Sequence, residues 1–397
     1  MLFTLEALDA EQGDCLLVHY GTRDDHHLVL VDGGTGRTFT RTLRPRLRQL
    51  QRELGLAASQ PVPLDLVVVT HVDSDHIGGI VKLARELVRA QQAHEPALVR
   101  VGRLWHNAYG DDPRHLDRIG AAARPAGTSA ALRSELEVHA ASLAEGRELR
   151  DAIITLGLQG NAPFRPTVRV GGYALPSWTL DREHEVRVTV VGPVESELAA
   201  YREAWREWRQ EQQPRGKVAA AAYDDTSVAN LASIATLIDM GSPDECWRML
   251  LTGDARGDFL LEGLEQAGCL DDDGRIELNV LKLPHHGSER NVEVELFERV
   301  LADHYVISAN GKHGNPDVAT LDMLAEARGD AEISLHLTFP EHAWQGVEGT
   351  TKAERERRAA LEAIDTWLVE RCPEAWTVCY RDPDAPSIMV ELGDEEL

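Results

Sequence analysis

The ten residues Thr70-His71-Val72-Asp73-Ser74-Asp75-His76-Ile77-Gly78-Gly79 follow an apolar run, Leu64 to Val69, and precede an amphipathic pattern, Ile80 to Gln92. A short apolar run ending in polar residues, with a helical period behind it, is a strand, a loop and a helix. Four potential metal ligands, His71, Asp73, Asp75 and His76, fall within six residues there. Alternate residues of an extended loop project to one side. His71 and Asp73 are therefore expected to converge on one ion, while Asp75 and His76, at the turn into the helix, address a second. The paired glycines Gly78 and Gly79 are expected to let the backbone turn tightly behind them. Polar residues that merely cap a helix would account for one Asp and one His, but not for the full set.

Upstream, Leu2 to Asp9, Leu16 to Tyr20 and Leu28 to Val31 read as strands and Thr38 to Leu54 as a helix. Downstream, another strand ends at Trp105, and from 106 to 182 the pattern loosens into Ala, Arg and Glu-rich stretches expected to form a helical insertion. Alternation returns with Val186 to Val191, a charged helix near Ser196 to Gln212, and the strands Ser233 to Met240 and Arg248 to Leu251. Leu278 to Leu283 and Tyr305 to Ser308 each begin a strand-plus-helix unit, and a charged helix, Lys352 to Glu370, leads to closing strands at Trp376 to Tyr380 and Ser387 to Leu392. This succession predicts an α/β fold, an αββα sandwich of two mixed sheets covered by helices. Residues 1–340 are expected to form one domain, with 341–397 packed on it.

With 397 residues and 43% hydrophobic content the chain can bury a large core. No run approaches the apolar length that spans a bilayer, and Met1 to Tyr20 lacks a basic start followed by an apolar stretch, so a cytoplasmic protein without membrane contact is expected. Cys15, Cys246, Cys269, Cys372 and Cys379 are an odd, scattered set, which argues against a disulfide framework and a thiolate zinc site. The formal charge of −25 excludes a broadly basic surface that coats nucleic acid, because such binding draws on Lys and Arg displacing phosphate counterions. A local basic channel, metal ions or a partner subunit leave room for a phosphate chain.

The pattern His-x-Asp-x-Asp-His-x-Gly-Gly resembles the signature of metallo-β-lactamase-fold hydrolases, in the variant of the nuclease-like domain of ComEC competence proteins, where Asp stands for the usual second His. Gln12-Gly13-Asp14-Cys15, Val31-Asp32-Gly33-Gly34, Val190-Val191-Gly192-Pro193, Ser233 to Leu237, Leu251-Thr252-Gly253-Asp254, Leu281 to Ser288 and Ser308 to Pro316 resemble that domain in the same order. The likeness covers most of residues 1–325 apart from the insertion. It implies a hydrolase with two divalent ions, Zn²⁺ or Mn²⁺ with Mg²⁺ open. It further implies phosphodiesterase or nuclease action on DNA or RNA, in one setting as part of a bacterial multi-protein defence system. It also implies His286 as a ligand of the second ion with Asp75 and His76, and His285 as a group behind it, although the two histidines can exchange these roles.

Asp254, at the end of an apolar strand, can bridge two cations with its two oxygens, which a histidine cannot. The remaining ligand of the first ion is open: the family supplies a His before the strand leading to Gly-Asp, and none lies between His184 and Asp254. Asp225 and Asn230 are the nearest candidates. Either one would give an oxygen-rich shell that suits Mn²⁺ or Mg²⁺, with Zn²⁺ still possible. Asp75, His285, His313 and Lys282 are the candidate catalytic residues. His313 is read as a proton donor or phosphate contact, against the plain alternative of a solvated loop histidine, since Asn315 holds the place before Pro316 where the resembled pattern has its His. Lys282 and Lys312 are expected to flank the ions. Trp105, His106, Asn107 and Tyr109 border the insertion as substrate contacts or as packing.

The fold alone is a weak warrant for chemistry. A hydrolase of a small ester, lactone or thioester needs the same water but no phosphate-binding rim. A metal-stabilised scaffold would use the acidic surface and the C-terminal helix to hold a protein partner.

Overall fold

The computed structural model describes residues 1–107, 144–164, 167–173, 177–199, 233–242 and 245–394. One sheet contains β1 (Leu2–Leu8), β2 (Leu16–Gly21), β3 (His26–Val31), β4 (Val62–Val69), β5 (Val99–His106) and β6 (Gln159–Gly160) in that order, with β15 (Ser387–Glu391) on the outer edge of β1. The other runs β14-β13-β12-β11-β10-β9-β8-β7. Its strands are β7 (Trp178–Asp181), β8 (Val186–Gly192), β9 (Ala235–Ser242), β10 (Glu245–Leu251), β11 (Ile276–Lys282), β12 (Val300–Ile307), β13 (Ile333–Leu337) and β14 (Trp376–Tyr380). Short connections make β1, β2 and β3 antiparallel, with Leu16 opposite Val31, whereas the longer crossovers make β3, β4 and β5 parallel.

β4 shows why the sheets face each other. Its Leu66 and Val68 join Phe3, Leu5, Val18 and Val29 against Val188, Ile238, Met249 and Val280 of the opposite sheet. Val67 and Val69, on the alternate face, pack with Leu47, Leu50, Ile80, Leu83 and Leu87 from the Arg44–Glu53 and Ser74–Ala93 helices. A strand covered on both sides reads as a continuous apolar run. On the far side of the second sheet, Leu260, Phe297, Leu321, Leu324, Ile364 and Trp367 form the third apolar layer. The αββα sandwich expected from the sequence is the fold observed.

Differences in detail have physical causes. The helix after β4 spans Ser74–Ala93, six residues earlier than the Ile80 start expected, with Asp73 at its N-cap position. Gly78 and Gly79 are therefore helical, and no tight turn lies behind the ligand cluster. They are needed for close approach: a Cβ on Gly79 would sit 1.9 Å from the Gly33 carbonyl oxygen, and one on Gly78 would sit 2.9 Å from the Gly36 nitrogen. Gly33 N–H donates to the His76 carbonyl and Gly79 N–H to that of Gly34, both at 2.9 Å, which docks the helix start on the loop after β3. Gly79→Ala is expected to destabilise by about 1–3 kcal/mol through overpacking, although Ala is the better helix former by about 1 kcal/mol. Urea unfolding checks it, and a stabilised variant would contradict the close approach.

β13, Ile333-Ser334-Leu335-His336-Leu337, is a strand that the sequence reading missed. It is short, and two of its five residues are polar, so it lacks the apolar run that marked β4. Its parallel partner β14 pairs Ile333 with Trp376, whereas β15 pairs antiparallel with β1, Thr4 opposite Glu391. The last segment of the chain thus adds a strand to each sheet. The Lys352–Glu370 helix packs Leu361, Ile364 and Trp367 into the outer apolar layer of the second sheet, and it is started by a capping box in which Thr351 and Glu354 satisfy each other's backbone. All five cysteines are free thiols, with Cys15 buried. No helix among the described residues is long and apolar enough to cross a membrane.

Candidate metal centre

The carboxyl ends of β3, β4, β10, β11 and β12 lie on one rim, where Asp32, Thr70 to His76, Asp254, His285, His286 and Ser308 follow their strands. Crevices at strand carboxyl ends are where α/β sheets place ligands, because the loops there are free to carry chemistry. Asp254, only 3% exposed, lies at the centre. Its Oδ1 is 3.3 Å from His76 Nε2 and 3.6 Å from His286 Nε2. Its Oδ2 is 3.7 Å from both His71 Nε2 and His285 Nε2. Asp73 Oδ2 approaches the same His71 nitrogen at 3.7 Å.

These rings are aimed by what holds their other nitrogen. His76 Nδ1–H donates to Asp32 Oδ2 at 2.8 Å. Thr70 Oγ1–H donates to the same carboxylate oxygen at 2.6 Å, which leaves the hydroxyl lone pair for His71 Nδ1–H at 3.0 Å. His286 Nδ1–H donates to the Ser308 carbonyl at 2.9 Å, and His285 Nδ1–H to Asn291 Oδ1 at 2.7 Å. All four histidines thus have Nδ1 occupied and Nε2 turned toward Asp254, the tautomer that metal-binding imidazoles take when an outer acceptor fixes them.

Four of the nine non-glycine residues with positive φ among the described residues lie at this rim. Asp32, His285, His286 and His313 adopt positive φ of 58°, 46°, 57° and 61°. Non-glycine residues are held in that region only where surrounding contacts over-determine them. For Asp32 those contacts are the Thr70 backbone N–H at 2.8 Å, the Thr70 hydroxyl and His76.

At Asp254 and His76 burial favours the neutral form, yet opposite charges prevail. Burial would raise the Asp254 carboxyl, but His76, His286, His285 and His71 hold it well below the usual range. Burial would lower His76, but Asp254 and then Asp32 raise it well above its ordinary value. His71 Nε2 and Asp254 Oδ1 are nonetheless buried with no hydrogen-bond partner. Such orphans are rare and cost about 1–3 kcal/mol each. A divalent cation satisfies both kinds at once, so the residues present fit the group.

Lys282 differs from its expected role. It is fully buried, its Nζ pairs with Asp14 and donates to the Gly253 carbonyl at 3.1 Å, and it therefore presents no charge to a substrate. Asp14, which carried no role in the sequence reading, offers a donor atom within 4.8 Å of those of His76, Asp254 and His286. It reaches the two rings from their Nδ1 side, at 4.0 and 3.4 Å, behind the face that meets Asp254. Asp14 therefore lies behind the two rings, where Lys282 neutralises it. Asp32 and Asn291 were missed in the same way. An acidic residue closing an apolar strand was read as chemistry at Asp254, and the same signal marks Asp32 after Leu28 to Val31.

Asp75 is half-buried in the first helical turn, within electrostatic reach of His313, and pairs with no charged group among the described residues within 4 Å. His313 and Lys312 are exposed on the rim. Trp105 belongs to the core, with its Nε1–H donating to the Ala162 carbonyl at 2.8 Å, and Asn107 bonds the Val168 backbone on both sides, so these two pack and do not line the cleft. Asp225, Asn230 and Tyr109 lie outside the described residues.

Residues 8–168 match the family model of the metallo-beta-lactamase superfamily. The matched stretch contains Asp14, Asp32 and the His71 to His76 cluster, and the remaining donors come from the second sheet. The two mixed sheets covered by helices are the metallo-β-lactamase type of α/β fold. Fold, match and converging donors together support a metal-dependent hydrolase.

Proposed function

We propose that this chain is a phosphodiesterase, in particular a nuclease acting on DNA or RNA, that works with two divalent ions, Zn²⁺ or Mn²⁺ with Mg²⁺ a further option. The observation that carries the reading is the single carboxylate of Asp254 with a pair of imidazole Nε2 atoms on each oxygen. His71, Asp73, His285 and Oδ2 of Asp254 would hold one ion; His76, His286, Asp75 and Oδ1 would hold the other. Ions bound there supply Lewis acidity and lower the pKa of coordinated water. The protein's own part is to fix the rings through Asp32, Ser308 and Asn291, to keep the Asp14 charge matched by Lys282, and to offer His313 at the rim as proton donor to the leaving oxygen.

Burial of Lys282 removes one of the two cations expected at the rim, which favours a second reading, hydrolysis of a small ester, lactone or thioester. On the nuclease reading, a chain of charge −25 captures a polyanion only at short range, so a basic protein partner on the acidic surface would bring the nucleic acid in. The metal-loaded protein assayed on plasmid DNA, RNA, bis-p-nitrophenyl phosphate and a lactone panel separates the readings. Turnover of the phosphodiesters is expected, and activity on lactones alone overturns the proposal.

Elemental analysis of protein reconstituted with Zn²⁺ or Mn²⁺ is expected to find at least two bound ions per chain, and chelation should lower Tm, since ions that bind only the folded state stabilise it. Reconstituted protein without stoichiometric metal would contradict this.

A further inference from the structure

At the end of the sandwich away from Asp254, a second group of histidines and carboxylates joins the two sheets. β3 runs from His26 at this end to Val31 beside Asp32, so about 20 Å of strand separates the two places. The β2–β3 turn brings Asp25 and the start of β3 His27, while the end of β7 brings Asp181 and the β7–β8 turn His184. The nearest atoms of Asp25, His27 and His184 lie within 4.8 Å of one another.

Their hydrogen bonding repeats the scheme at Asp254. His27 Nδ1–H donates to Asp65 Oδ2 at 2.8 Å, an acceptor also held by the Tyr20 hydroxyl at 2.9 Å. His184 Nδ1–H donates to Asp181 Oδ2 at 3.0 Å, while the other Asp181 oxygen accepts the backbone N–H groups of Glu183 and His184 and so fixes the turn. Both Nε2 atoms face the carboxylate of Asp25, at 3.3 Å from Oδ1 for His27 and 3.6 Å from Oδ2 for His184. A carboxylate behind each imidazole and a third carboxylate in front is the arrangement that orients histidines toward a metal. The Asp25 side chain is 57% exposed, which leaves a way in for the ion and a place for water as fourth ligand.

We propose that Asp25, His27 and His184 form a structural site for a divalent transition-metal ion, Zn²⁺ by donor set, that ties the β2–β3 turn of one sheet to the β7–β8 turn of the other. The ion is separate from the hydrolytic centre, and its binding does not depend on the reaction proposed above.

The test uses the full chain. Crystals grown with Zn²⁺ are examined by anomalous scattering at the zinc edge, and bound zinc is counted by equilibrium dialysis in wild type, Asp25→Asn and His184→Gln. The expected result is an anomalous peak between Asp25, His27 and His184, with one zinc fewer per chain in each variant and a smaller zinc-dependent rise in Tm. Asp25→Asn changes an exposed turn residue, so its count stays informative if His184→Gln folds poorly. An equal zinc count in wild type and Asp25→Asn, or a zinc-loaded crystal with no peak at this place, overturns the site.

Discussion

Replacing Asp254 by Asn is expected to lower turnover by at least about a thousandfold and to strip bound metal, while the fold stays in place. Charge stabilisation at a reacting centre is worth several kcal/mol, and losing one such group commonly costs about two to three powers of ten. Here more than one interaction goes, because Asp254 alone faces His76 and His286 with one oxygen and His71 and His285 with the other. Asn keeps the shape but supplies one neutral oxygen, so it cannot serve both sides. Its amide N–H groups can donate to a histidine Nε2, and the backbone N–H of residue 254 keeps its bond to Ser233 Oγ at 3.0 Å, which is why folding should survive. Asp75→Asn is expected to reduce turnover strongly as well, whereas His313→Ala, at an exposed position, should cost much less. Metal content, kcat/KM and the unfolding midpoint measured for the three variants check this. Retained metal and near-normal turnover in Asp254→Asn would falsify the assignment of the centre, and equal damage from His313→Ala would reassign the proton donor.

The second large effect is on stability, at the outer face of β1 and β2. Glu6 is fully buried; its Oε2 takes His19 Nε2 at 2.9 Å, and its Oε1 takes Arg46 Nε at 2.7 Å and the Ser387 hydroxyl at 2.6 Å. Arg46, 4% exposed, comes from the helix above, and Ser387 begins β15, so the network joins three segments far apart in sequence. Arg46→Met is expected to destabilise by about 3–5 kcal/mol, the usual result of leaving a buried charge without its partner. Burial works to raise the Glu6 carboxyl, yet the hydrogen bond and charge of His19 and then those of Arg46 hold it at about 2. A carboxyl depressed in the folded state adds stability above its unfolded value of about 4.5, and that contribution is lost as pH falls toward about 2. Urea midpoints at pH 5 and pH 3 should therefore show wild type losing stability faster than Arg46→Met over that window. In the double variant Glu6→Gln/Arg46→Met the penalties should fall short of additive, because the first change removes the charge that the second strands. An Arg46→Met protein within about 0.5 kcal/mol of wild type would show that the network is not stabilising.

Much of this molecule was legible in one dimension because the relevant signals are local. β4 announces itself as a continuous apolar run, and the same is true of β3, whose last residues lead to Asp32. The cluster His71, Asp73, Asp75 and His76 is dense enough within six residues to be read as candidate ligands without any partner segment. The Lys352–Glu370 helix was placed with its observed limits, since its long charged stretch is a pattern read along the chain itself. The αββα class followed from the succession of such elements.

What the sequence by itself determined about this protein is therefore its class of fold, the ligand-rich loop after β4 and the special standing of Asp254 and the His285–His286 pair. The tertiary structure alone decided how those residues share the work. Whether Lys282 meets a substrate or a carboxylate depends on Asp14, which is 268 positions away in the chain and becomes its neighbour only when the β1–β2 turn closes over β11. Which nitrogen each histidine offers depends on Asp32, Ser308 and Asn291, which occupy Nδ1 from other strands and loops. The need for Gly79 comes from the Gly33 carbonyl, a contact between a helix and a distant loop that no local pattern records. Propensity and periodicity report interactions within a few residues, whereas charge pairing, tautomer choice and close packing are set by groups that folding brings together.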